Sequence, residues 1–141
     1  MSYPLTTDTD IDEIIENFEM LDDWEDRYSY LIELGKALKP LADTEMVEDN
    51  KVNGCVSQVW LVSEPDGAKY NFRGGSDAHI VRGLVAIALT LFSDKTRDQI
   101  AAIDAEATFR QIGLQEHITP QRANGLRAMV ERIRQESQIA A

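Results

Sequence analysis

One cysteine, Cys55, and two histidines, His79 and His117, are all that this chain of 141 residues offers to soft-metal or thiol chemistry. A lone thiol forms no internal disulfide, and structural zinc or iron–sulfur sites draw on about four ligands, many of them thiolates. No HExxH or CxxC pattern is present, so neither a metal site nor a cofactor is expected. Cations are scarce as well. Fourteen Lys and Arg face 25 Asp and Glu, a net charge of −11, which turns the phosphate attraction behind nucleic-acid binding into repulsion. Long apolar runs are missing too: the longest, around Leu84–Phe92, is interrupted by Thr90 and has Arg82 beside it, whereas a bilayer span needs about 20 such residues. Met1-Ser2-Tyr3-Pro4 lacks the basic and apolar regions of a secretory leader, and the acidic residues after Thr7 do not suit a transit peptide. The expectation is a cytoplasmic protein without membrane or nucleic-acid partners.

What is present suits one domain spanning residues 1–141: 43% of the chain is hydrophobic and 28% charged, with no internal repeat or low-complexity segment. Ile11, Ile14, Ile15, Phe18 and Leu21 recur at helical spacing, with Asp10 and Glu13 placed as a capping box. Trp24, Tyr28, Leu31, Gly35 and Leu38 predict a second helix that Pro40 ends, with Gly35 allowing a close approach. Val56–Val62 is rich in β-branched and aromatic residues and predicts a strand. Pro65-Asp66-Gly67 signals a turn and Tyr70-Asn71-Phe72 a returning strand, with a short strand near Lys51–Asn53 completing the sheet. Gly74-Gly75-Ser76-Asp77 is expected to stop the sheet, with Ser76 or Asp77 capping a central helix that carries Ile80, Leu84, Ile87, Ala88 and Leu91. Thr96 and Gln99 form another capping box, Phe109 and Ile112 continue a short helix stopped at Gly113, and Thr119-Pro120 starts the last helix. The fold class is therefore α+β, a small antiparallel sheet packed against several helices. Trp24, Tyr28, Trp60 and Phe72 are assigned to packing.

Cys55 lies in Asn53-Gly54-Cys55-Val56-Ser57, at a loop tip or strand entrance. Two readings stand side by side: an inert, buried small hydrophobe, or a nucleophile. A nucleophilic thiol acts as thiolate, which a nearby cation favours, and His79 and Arg122 are the candidates for that cation. His79 reads first as an exposed or hydrogen-bonded helix residue, Arg122 equally as pointing into a cleft or into solvent, and Asp77 as a cap first and a partner contact second. Gly74-Gly75-Ser76 has neither the Gly-Lys-Ser/Thr ending of a phosphate loop nor the GxGxxG spacing. The acidic stretch from Asp8 to Asp26 reads as a solvated face or as a docking face for a basic protein.

Several motifs agree in order along nearly the whole chain: Arg27-Tyr28-x-x-Leu31-Ile32-x-Leu34-Gly35-Lys36, Val52-Asn53-Gly54-Cys55-x-Ser57-x-Val59-Trp60, Ser76-Asp77-Ala78-x-Ile80-Val81-x-Gly83-Leu84, Gly113-Leu114, His117-Ile118-Thr119-Pro120 and Arg122-x-Asn124-Gly125-Leu126. This pattern resembles the SufE family and its close relative CsdE. The resemblance implies a fold similar to the IscU scaffold without that scaffold's extra cluster ligands. It also implies a sulfur carrier rather than a self-sufficient enzyme. Cys55 would accept persulfide sulfur from a PLP-dependent cysteine desulfurase of the SufS/CsdA kind, stimulate it, and pass sulfur to an iron–sulfur scaffold. Gly54, Ser57, Asp77, His79 and Arg122 are the expected partner-binding residues. Two departures, Lys39 before Pro40 and Gly74-Gly75 before Ser76, leave the acceptor untouched.

Two other classes stay open on the residues alone. A cysteine hydrolase would use Cys55 and His79, though no further triad or oxyanion signature accompanies them. An interaction domain would bury Cys55 as a structural residue. A cluster scaffold is excluded by cysteine count. The free chain is a monomer or a homodimer in either reading.

Overall fold

A computed structural model describes residues 11–53, 57–114 and 118–139; Asp10, Gly54, Cys55, Val56 and His117 lie outside the described residues. The elements follow in the order α1 (Ile11–Met20), α2 (Trp24–Lys36), β1 (Val59–Asp66), β2 (Lys69–Ser76), α3 (His79–Phe92), β3 (Lys95–Thr96), α4 (Arg97–Ala102), α5 (Ala105–Ile112) and α6 (Pro120–Ile139). Two short 3-10 turns, Asp43–Glu45 and Glu48–Asn50, lie between α2 and β1. The fold is α+β, as the periodicities predict.

Helix α3 is apolar on nearly every side, and Leu84, Val85, Ile87, Ala88 and, at its end, Phe92 are buried. Such a helix must be covered all round. Helix α2 crosses it where Gly35 meets Gly83: a Cβ on Gly35 would lie 2.8 Å from the Gly83 amide nitrogen, and one on Gly83 would overlap the Leu31 carbonyl. Asp23 caps α2 by accepting from the Asp26 amide at 2.9 Å. The helix stops at Lys36, before Pro40, where the Leu38 amide tightens onto the Gly35 carbonyl at 3.3 Å.

The sheet has the order β1-β2-β3 and is antiparallel throughout, with Val59 opposite Ser76 and Asp66 opposite Lys69. Its hairpin turn is Gly67-Ala68, with Gly67 at φ +62°, so Pro65 and Asp66 belong to the edge strand rather than to the turn. The predicted strand near Lys51–Asn53 is reduced to one bridge, Lys51 to Trp60; the third strand is instead Lys95–Thr96. Val59, Leu61, Tyr70 and Phe72 point to the helices and are buried. Trp60, Val62 and Arg73 occupy the other face, over which the 41–50 segment passes through Leu41 beside Gly75 and Glu45 beside Arg73.

Gly74 and Gly75 do not stop the sheet. Strand β2 continues through them to Ser76, because a Cβ at Gly74 would press on the Trp60 carbonyl and Val85, each at 3.0 Å, and glycine lets strand and helix close up. The α3 cap also differs from expectation: the N-cap is Ala78, with no side-chain cap, since Ser76 and Asp77 direct their oxygens to other partners described below. Further on, Thr96 and Gln99 make the expected capping box. The helix beyond it breaks at Ile103-Asp104, where Asp104 accepts from the Ala107 amide at 3.1 Å and starts α5. Gly113 ends α5 in the left-handed conformation, φ +84°. Thr119 caps α6 by accepting from the Arg122 amide at 3.2 Å, with Pro120 at the first helical position.

Candidate functional site

Residues 53–58 join two backbone positions that pair with each other. The Val52 amide donates to the Val59 carbonyl at 2.8 Å, and Val52 is buried. On the downstream side Gln58 is gripped three times. Its N–H donates to Asp77 Oδ1 at 3.1 Å, and its carbonyl accepts from the Asp77 amide at 3.3 Å and from Ser76 Oγ at 2.7 Å. Ser76 is itself buried, and its hydroxyl also accepts from the Ala78 amide at 3.2 Å. Arg82 donates through Nη2 and Nε to the Ser76 carbonyl at 3.0 and 3.3 Å, tying this corner to α3.

Ser57, Val59, Val81, Leu84, Leu126 and Met129 form part of the wall of a cleft of about 190 Å³, with Thr119, Gln121, Arg122 and Gly125 completing it. The floor is apolar and the rim carries hydroxyls, an amide and one guanidinium. Among the described residues the Arg122 side chain has no hydrogen-bond or ion-pair partner, so its donors remain available to a group in the cleft.

Of the residues singled out in the sequence, Ser57 and Arg122 meet in this cleft, although 65 positions apart in the chain (122 − 57). Asp77 sits next to it through Gln58. His79 is exposed at the first position of α3 and does not line the cleft. Gly54 and Cys55 lie outside the described residues, as does His117. Gln58 and Met129 carry no signal in the sequence, and Thr119 reads there only as a helix start. The cap at Thr119 was legible, but nothing in a linear pattern marks Gln58 as the residue that three groups would hold.

The outer sheet face holds the main electrostatic cluster. Arg73 pairs with Glu45, and its Nε donates to Glu64 Oε1 at 2.7 Å. Glu45 also accepts from the Ala42 amide at 3.0 Å. The Arg73 guanidinium, followed by that amide, holds the Glu45 carboxyl below the usual carboxylate range, and Glu45 and then Glu64 raise Arg73 in turn.

Among the described residues no helix is long and apolar enough to cross a membrane. The chain is 21% identical to a hypothetical protein of Thermus thermophilus known from a solution structure, with a TM-score of 0.75 over 99% of this chain and 98% of that one, a likeness of fold. It is 55% identical over 135 residues to an uncharacterized SufE-like protein of Rhizobium etli, covering 93% of this chain and 91% of the relative. A second uncharacterized SufE-like protein, from Rhizobium meliloti, is 52% identical over 134 residues, with 92% and 96% covered. The family model for SufE, described as an Fe-S metabolism associated domain, matches residues 12–137. The chain therefore belongs to the SufE family and has a role in iron–sulfur metabolism.

Proposed function

We propose that this protein is a sulfur carrier: Cys55 accepts sulfur from a PLP-dependent cysteine desulfurase, stimulates that enzyme, and passes the sulfur to an iron–sulfur scaffold. The carrying observation is the paired backbone on either side of residues 53–58, beside a cleft with an apolar floor and, on its rim, an arginine that has no side-chain partner among the described residues. Cys55 stands two residues before Ser57, a wall residue, and two residues span at most about 7 Å.

The chemistry is an exchange without net oxidation. The Cys55 thiolate attacks the outer sulfur of the desulfurase cysteine persulfide; the new S–S bond forms as the old one breaks, and the electron pair leaves with the partner's thiolate. A persulfide is easily reduced or oxidised, so an apolar cleft next to the acceptor favours its survival, and the Arg122 cation favours its anionic form. Ser57, Asp77 and Arg122, with Gly54 and the exposed His79, then form the face that meets the desulfurase.

The test is mass spectrometry of the intact chain after incubation with a desulfurase and free cysteine. One added sulfur, mapped to Cys55 and removed by a thiol reductant, supports the carrier. Turnover of the desulfurase with no sulfur on Cys55 rejects it.

A further inference from the structure

Arg132, near the middle of α6, holds the chain that leads into the cysteine loop. Its Nη2 donates to the Asp49 carbonyl at 2.6 Å and its Nη1 to the Lys51 carbonyl at 3.1 Å. Its Nε donates to Glu136 Oε1 at 2.8 Å, and Glu136 Oε2 accepts from Ser63 Oγ of β1 at 3.4 Å. Arg132 and Glu136 are an i,i+4 pair of which only about a quarter of each side chain is exposed. All three nitrogens of the fork are used at once, which a planar guanidinium does and an ammonium does not.

The two carbonyls belong to the end of a 3-10 turn, where backbone acceptors lack helical partners. Directly after them come the bridge between Lys51 and Trp60 and the Val52 to Val59 hydrogen bond, immediately before Asn53. The downstream stem has its own anchors, Ser76 and Asp77 on Gln58; the upstream stem has Arg132. We infer that Arg132 is a positioning residue for the sulfur-accepting loop, fixing its upstream stem against α6 and β1. This rests on the reading of Cys55 as acceptor.

The experiment compares the full chain with Arg132→Ala, Arg132→Lys and a control on the same helix, Arg127→Ala, whose guanidinium instead pairs with Glu106 of α5. Two readouts are taken: backbone amide exchange at Val52 by NMR, and the rate at which Cys55 gains sulfur from a desulfurase supplied with cysteine. In Arg132→Ala the Val52 amide is expected to exchange about tenfold faster while Leu61 and Phe72 amides keep their native rates. Sulfur acceptance slows by about threefold or more, because the thiol spends less time in the reactive geometry. Arg132→Lys falls between, and Arg127→Ala matches the native chain. Native exchange at Val52 overturns the inference, as does acceleration spread evenly over β1 and β2, the mark of a merely structural residue. Faster Val52 exchange with native sulfur acceptance also overturns it and leaves the carrier standing; no sulfur on native Cys55 removes the carrier whatever Val52 does. If Arg132→Ala does not fold, Arg132→Lys decides by the same readouts.

Discussion

The carboxylate of Asp77 accepts the backbone N–H of Gln58 across 3.1 Å, so the residue that follows β2 restrains the residue that precedes β1. The contact is exposed, and water replaces much of what is lost when it is cut. Asp77→Ala should therefore lower stability by no more than about 1 kcal/mol, yet loosen the downstream stem, which keeps only the two bonds to the Gln58 carbonyl. Asp77→Asn keeps the accepting oxygen and should behave as the native chain. Alkylation of Cys55 in the isolated protein reads the difference: faster in Asp77→Ala, unchanged in Asp77→Asn. Equal rates in all three proteins would show that this tether does not govern access to the thiol.

The helix crossing sets a second expectation. Gly83→Ala forces a methyl into the Leu31 carbonyl, backbone against backbone, and should cost about 3 kcal/mol or more. Gly75→Ala places its Cβ 3.6 Å from Leu41 Cδ1, an ordinary contact, and should be nearly neutral. Urea unfolding of the two variants gives the order, and a neutral Gly83→Ala would mean that α2 and α3 part easily.

Local physics explains what could be read beforehand. Helical periodicity marks α1, α2, α3 and α6, and the caps at Thr96 and Thr119 sit where their side chains can reach an amide three residues on. The Asp77 misreading has the opposite cause: Ser and Asp before an apolar helix usually cap it, but here the competing partner, Gln58, lies 19 residues back and appears only when β1 and β2 pair. Strand β3 has two residues and no alternation to read. The meeting of Ser57 and Arg122 likewise depends on how α6 packs over the start of β1, which no spacing encodes. Cys55 was visible because it is the sole thiol.

Acid should act on the outer sheet face. Arg73, with the Ala42 amide, holds Glu45 below the usual carboxylate range, so the folded state favours the ionised carboxylate. A depressed carboxylate contributes stability that is complete above its unfolded value and is lost as pH falls through the folded value. Glu45→Gln should thus be less stable than the native chain at neutral pH, with the gap closing on acidification below the carboxylate range. Denaturant midpoints of both proteins across that window measure it; a gap independent of pH would assign the loss to geometry rather than charge.

Arg122 offers the sharpest test of the cleft. Its guanidinium lies on the rim of a space whose floor is Val59, Val81, Leu84, Leu126 and Met129, where a charge interaction is weakened less by water than on an open surface. If Cys55 receives sulfur beside Ser57, the product is a persulfide anion facing that cation. Arg122→Ala should then slow sulfur acceptance by about tenfold, the cost of one charge-assisted contact. Arg122→Lys should recover part of the rate, since the charge remains but the planar fork does not. Stability should hardly change in either variant, because the side chain has no partner among the described residues and the Thr119 cap uses only the backbone amide of Arg122. Rates are read by quenching the desulfurase reaction at short times and weighing the chain. A native rate in Arg122→Ala, with its fold intact, would detach the cleft from the transfer and leave Cys55 to act through its loop alone.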